Sequence, residues 1–100
     1  MRLPETVKVG AFVYTIVRET QVRSDDDRRL CGQINYMRQE IHIGDGMAAE
    51  QEYDTFLHEV LHAIDHNGQM GLSEKQIHRL ASALLGVLLD NDLLRDEPEE

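Results

Sequence analysis

AAEQEYDTFLHEVLHAI, residues 48–64, is where the hydrophobic period of this chain changes from that of a strand to that of a helix. Within and just around it, Ala49, Tyr53, Phe56, Leu57, Val60 and Ile64 follow one another at helical spacing as a continuous apolar stripe. Asn67-Gly68 and Gly71 predict the break that ends the helix. Ser73 and Gln76 have the spacing of a capping box, so a second helix is expected to open there. Its expected buried face is Ile77, Leu80, Ala81, Leu84, Leu85 and Leu88. Upstream the reading is β. Val7, Val9, Val13, Thr15 and Val17 alternate with Lys8, Phe12, Tyr14 and Ile16, and Gly10 marks a turn or bulge. Ser24-Asp25-Asp26-Asp27-Arg28-Arg29 reads as a polar connection. Ile34-Asn35-Tyr36 and Glu40-Ile41-His42-Ile43 are predicted to pair around Met37-Arg38-Gln39, and Gly44-Asp45-Gly46 stops the second strand. The predicted order is β, β, β, α, α. That is a small α+β domain in which an antiparallel sheet of about three strands packs against two helices.

Composition narrows the setting. A chain of 100 residues, 41% hydrophobic and 29% charged, supports one core, expected over 1–91. Residues 92–100 form an acidic tail expected to fray. Nineteen acidic against ten basic residues give a net charge of -9, which argues against direct nucleic-acid binding through phosphates and against anionic membrane surfaces. The longest apolar run, 83–89, is far short of the ~20 residues that span a bilayer. The first residues carry no apolar signal stretch, so the expected location is cytoplasmic. Cys31 is the sole cysteine, which excludes an internal disulfide and a cysteine-based zinc cage.

The chemistry lies in His58-Glu59-Val60-Leu61-His62, an HExxH sequence inside the first helix. Side chains four apart sit one turn above each other, so both imidazoles can reach one metal ion. Zinc accepts neutral imidazole, and the pair would supply two of its usual three protein ligands. Glu59 then projects beside the ion without binding it. From the frequencies of His and Glu in this chain, chance produces such a pentapeptide in roughly 2% of cases. At about 100° per residue, His58 and His62 lie about 160–200° from a stripe centred near Val60, so they are not core histidines.

A third ligand must come from elsewhere. The spacing HExxHxxGxxH fails, because Asp65 and Gly68 stand where its glycine and third histidine would be. Glu74, twelve residues after His62 and in the first turn of the second helix, is the leading candidate. His78, one turn further on, is the alternative, as ligand or as a donor to a developing oxyanion. Asp65 is placed to orient an imidazole, whereas His66 is too far round its helix to converge with the pair. His42 reads as an exposed strand residue and Cys31 as a small, half-buried apolar one. Nothing in the sequence selects Tyr36 or Tyr53. A zinc ion on two imidazoles and a carboxylate polarises a carbonyl and acidifies water, with Glu59 as general base and then general acid. A strand beside the helix, expected to be residues 39–43, would bind an extended peptide by edge pairing.

With these residues placed, the chain resembles the small phage and mobile-element metallopeptidases of the ImmA/IrrE type, in the gluzincin branch of HExxH enzymes. The resemblance runs from Gly32 to Leu88. It rests on Gly32-Gln33-Ile34-Asn35-Tyr36, on Gln39-Glu40-Ile41-His42-Ile43, on Thr55 through Asp65, and on Glu74 followed by Ile77, Leu80-Ala81 and Leu84-Leu85. That last run is similar to the family's E-x-x-A-x-x-F-A-x-x-L-L helix, with Ile77 and Leu80 in place of Ala and Phe. The resemblance implies a minimal zincin-like fold, Zn2+ on His58, His62 and Glu74, and Glu59 as the catalytic residue. It also implies a protein substrate, with helix-turn-helix repressors characteristic of the family. The reading of a different class is a non-catalytic, zinc-stabilised interaction module, since metal binding contributes folding free energy directly.

Overall fold

The computed structural model describes residues 2–20, 22–23 and 29–94. Strands β1 (Thr6–Val9) and β2 (Phe12–Glu19) form a hairpin with Val9 opposite Phe12. Gly10, the first of its two loop residues, takes φ 61°, which only glycine adopts without strain. The two-residue loop exchanges parity, so odd residues of β1 share a face with even residues of β2. Val7 accordingly lies opposite Tyr14, and the inward side chains are Val7, Val9, Tyr14 and Ile16. Two short strands, β3 (Val22–Arg23) and β4 (Arg29–Leu30), pair as a separate ribbon. Of the polar connection expected over 24–29, residues 24–28 lie outside the described residues and Arg29 instead opens β4; 95–100 of the acidic tail also lie outside them. Within 92–94, Leu94 still packs against the core.

Strands β5 (Gly32–Asn35) and β6 (Glu40–Gly44) pair antiparallel around the turn at 36–39, as predicted. Their place in the sheet was not predicted. The order is β1-β2-β6-β5, with β6 parallel to β2, so the sheet has four strands and is mixed rather than three-stranded and antiparallel. The chain leaves β2 through the ribbon, lays down β5 at the edge, and turns back to insert β6 between β5 and β2. Alternation marks which residues face inward; it carries no information on strand direction. Ile41 and Ile43 of β6 are fully buried, as a strand flanked on both sides by other strands allows.

Helix α1 (Ala49–Gly68) lies across β5, β6 and β1, and α2 (Glu74–Asp90) packs chiefly against α1. The residues α1 buries are Thr55, Phe56, Leu57, Glu59 and Ala63. This face is rotated from the expected stripe: Val60 is only partly covered and Ile64 is exposed. A helix held between a sheet and a second helix buries two faces, and one apolar stripe describes only the first. On α2 the buried residues are Ile77, Ala81 and Leu85, with Leu88 partly covered. Leu80 and Leu84, expected inside, are exposed, because α2 meets one helix rather than a sheet and a helix.

Three local devices set the helix ends. Gln69, not a glycine, takes the left-handed conformation that closes α1. Asn67 donates its side-chain N–H to the Val9 carbonyl at 3.0 Å, tying the end of α1 to the first hairpin. Ser73 and Gln76 form the full capping box, with Gln76 N–H donating to Ser73 Oγ at 3.1 Å and Ser73 N–H donating to Gln76 Oε1 at 2.8 Å. Near the other end of α1, Arg18 of β2 grips Glu52 with both guanidinium nitrogens.

Two outcomes follow. Ser73→Ala removes one side of the capping box and is expected to lower stability by about 1 kcal/mol in urea titration. The Arg18 hydrogen bonds and charge hold the Glu52 carboxyl below its ordinary value of 4.5, so this pair stabilises the fold above that pH and the contribution fades as pH falls. Glu52→Gln should therefore flatten the acid limb of the stability–pH curve, by under about 1 kcal/mol because Arg18 is half exposed.

Candidate metal centre

His58 and His62 stand on successive turns of α1, their ring centres 4.9 Å apart. Glu74 is the first residue of α2, where the helix N-terminus favours a carboxylate. The connection between the helices is held by Asp65, which accepts the Leu72 N–H at 2.9 Å through its side chain and the Met70 N–H at 3.3 Å through its carbonyl. Asp65 thus serves the connection that delivers Glu74, rather than an imidazole. Each oxygen of Glu74 meets one histidine: Nε2 of His58 lies 2.5 Å from Oε1, and Nε2 of His62 lies 2.8 Å from Oε2.

The three ligand atoms lie within 4.8 Å of one another, and these residues can hold a metal ion. Ligands at about 2.0–2.1 Å from a tetrahedral ion are ~3.4 Å apart, so small side-chain rotations convert this cluster into a coordination shell. The donor set, two imidazoles presenting the same nitrogen and one carboxylate, suits zinc. Glu74 is two-thirds exposed, which leaves the centre open on one side.

That opening is a cleft of about 520 Å³ between α1, α2 and β5. Glu59 lines it, although its residue is only 7% exposed. Burial, reinforced by the charge of Glu74, pushes the Glu59 carboxyl up to about 7. A divalent ion in the centre would oppose this by favouring the ionised form. Glu59 reaches the cleft because strand β5 has no side chain where it crosses α1. A Cβ on Gly32 would stand 2.6 Å from Thr55 Cγ2 and 3.3 Å from Glu59 Oε2. Gly32 therefore permits the close approach of strand and helix that forms the floor.

Of the other residues singled out, His78 lines the cleft, with its ring 6.1 Å from that of His58, but is not among the three convergent ligands. His66 stacks on Tyr36 at 4.0 Å, outside the cluster. His42 is partly buried rather than exposed. It lies on the sheet face opposite Ile41 and Ile43, with Nδ1 meeting Glu19 and Nε2 2.9 Å from Glu40 Oε1. Cys31 is exposed at the mouth of the cleft. The segment expected to offer a free edge to a peptide, 39–43, falls mostly in β6, which is paired on both sides; the edge strand beside the cleft is β5. Sequence reasoning passed over Tyr36, whose hydroxyl donates to the His62 carbonyl at 3.3 Å, and Asp54, which lines the cleft one turn before His58. The i, i+4 spacing was the available signal for Asp54; Tyr36 had none. Compared with family models, curated proteins and solved structures, the chain matches none.

Adding zinc to metal-free protein should raise the melting temperature, by the equivalent of about 2.7 kcal/mol at a hundredfold excess over the dissociation constant. His58→Ala and His62→Ala should abolish that shift in differential scanning fluorimetry. Glu74→Ala should reduce it, and an unchanged shift would move the third ligand to another residue.

Proposed function

We propose that this chain is a zinc-dependent endopeptidase of the ImmA/IrrE type, with zinc on His58, His62 and Glu74 and Glu59 as its acid–base residue. The observation that carries the reading is Glu59 itself: it is buried, faces the same cleft as the three ligand atoms, and is not one of them. A purely structural metal site has no use for such a carboxylate. A buried acid with no ion-pair partner among the described residues is costly to maintain, and its presence beside a metal centre is accounted for by proton transfer.

Zinc bound there would supply a Lewis acid for the scissile carbonyl and an acidified water as nucleophile. The chain's own groups do the rest. Glu59 takes the proton from the attacking water and returns it to the leaving amine. Asp65 and the capping box hold Glu74 against the histidine pair. Strand β5, at the sheet edge and along the cleft, offers backbone groups to an extended peptide, which favours protein over small-molecule substrates. A helix-turn-helix repressor fits this reading as a substrate through the family resemblance alone.

The second reading, a zinc-stabilised interaction module without turnover, draws on the apolar residues α2 leaves exposed, Leu80, Leu84 and Val87. One comparison separates the two. Glu59→Gln should retain zinc stoichiometry while losing at least about a hundredfold in peptide cleavage, measured by mass spectrometry on candidate repressors and on a peptide library. Cleavage undiminished in Glu59→Gln would remove Glu59 from the chemistry. No cleavage by the zinc-loaded parent on any substrate would favour the interaction module.

A further inference from the structure

The cleft holds one acidic group that the proposed chemistry does not use. Among the described residues, three carboxylates line it, Asp54, Glu59 and Glu74, and no lysine or arginine does. Glu74 and Glu59 have the roles given above. Asp54 lies one turn before His58 on the same face of α1, a rise of about 6 Å along the helix axis. Its one hydrogen bond among the described residues is from the Ser82 hydroxyl to Oδ1, at 3.2 Å. A carboxylate accepts several hydrogen bonds, so one neutral donor leaves Asp54 able to accept more from what enters the cleft. Among the described residues no cationic side chain lies within ion-pair distance of it.

The direction of β5 gives Asp54 a place relative to substrate. Gly32, at the start of β5, lies against Thr55 and Glu59, whereas Tyr36, just past its end, reaches His62 and His66. Strand and helix therefore run the same way along the cleft, and Asp54 lies at the Cys31–Gly32 end. The metal centre lies between His58 and His62, so Asp54 is about 9 Å from it along the helix axis; extended chain rises about 3.3 Å per residue, so this spacing is close to three residues. A peptide laid along β5 with its scissile bond at the metal centre brings the side chain about three residues away to Asp54. Long cationic side chains reach such a carboxylate while their apolar stems lie along the cleft wall.

Resting on the peptidase reading, we infer that Asp54 is the specificity carboxylate of the cleft, selecting a lysine or arginine side chain about three residues from the cleaved bond, on the Cys31 side. The chain's net charge of -9 attracts basic peptides at any point of its surface; Asp54 converts that general field into a choice at one position.

Two measurements test this. In the first, zinc-loaded parent, Asp54→Asn and Asp54→Lys digest a random decapeptide library, and mass spectrometry reads the residues flanking each cut. The parent should enrich Lys and Arg at one position about three residues from the bond; Asp54→Asn, which can still accept from Ser82, should lose the enrichment, and Asp54→Lys should turn it toward Asp and Glu. In the second, zinc-loaded Glu59→Gln binds fluorescein-labelled alanine–glycine decapeptides that differ only by one central Lys or Glu. The Lys peptide should bind roughly five- to tenfold tighter, and adding Asp54→Asn should abolish the difference. The exposed Glu5→Gln removes the same charge elsewhere and should keep the preference, and zinc content should be equal in all variants. Cleavage with an unchanged residue preference in Asp54→Asn overturns the inference and leaves the peptidase standing. Binding selectivity that depends on Asp54 without cleavage keeps the recognition role and removes the peptidase. Neither cleavage nor selective binding overturns both.

Discussion

The carboxylate of Glu74 joins two helices by meeting an imidazole with each of its oxygens. Both histidines come from α1, where their spacing places them a turn apart, but two ligands from one helix leave a metal centre incomplete. The third comes from the first residue of α2, and its position depends on the short connection in between. Asp65 accepts the Leu72 N–H, Gln69 turns the chain through a left-handed conformation, and Ser73 caps the new helix immediately before Glu74. Each contact is modest alone, of the order of 1 kcal/mol. Together they aim one side chain, and the packing of Ile77, Ala81 and Leu85 keeps α2 in place behind it.

The cleft arises from the same arrangement. Helix α1 has a sheet on one side and a helix on another, and β5 passes close to it only because residue 32 is glycine. The result is an opening whose floor is a buried glutamate and whose rim is the edge of a sheet. Burial raises the proton affinity of Glu59, and an ion at the neighbouring centre would act against that burial. Among the described residues no lysine or arginine lines the opening, so none of them neutralises its acidic groups.

The HExxH sequence, the helical period around it, the capping box and the choice of Glu74 were all legible because they are local. Each depends on residues within a few turns, where 3.6-residue geometry relates sequence spacing to spatial neighbourhood. The β5–β6 hairpin was legible for the same reason. What failed was longer in range. Leu80 and Leu84 have the spacing of core residues, yet they are exposed because α2 has only one substantial neighbour. Val60 looked like the centre of the buried face, but the second layer of contacts rotated that face toward Phe56, Glu59 and Ala63. His42 read as an ordinary exposed residue until β2 brought Glu19 to its ring from 23 positions away.

By itself, then, the sequence determined two helices, a strand pair, a pair of imidazoles a turn apart and a carboxylate at the next helix start, because hydrogen bonds and side-chain rows within one element repeat at fixed short intervals. Only the tertiary structure decided that β6 inserts parallel beside β2, that β5 takes the edge, and that Gly32, Asp54 and Tyr36 border the same opening as Glu59. Strand order and helix-to-sheet contact join residues far apart in the chain. No spacing encodes them; they follow from which arrangement buries Tyr14, Ile41, Ile43 and Phe56 in one core.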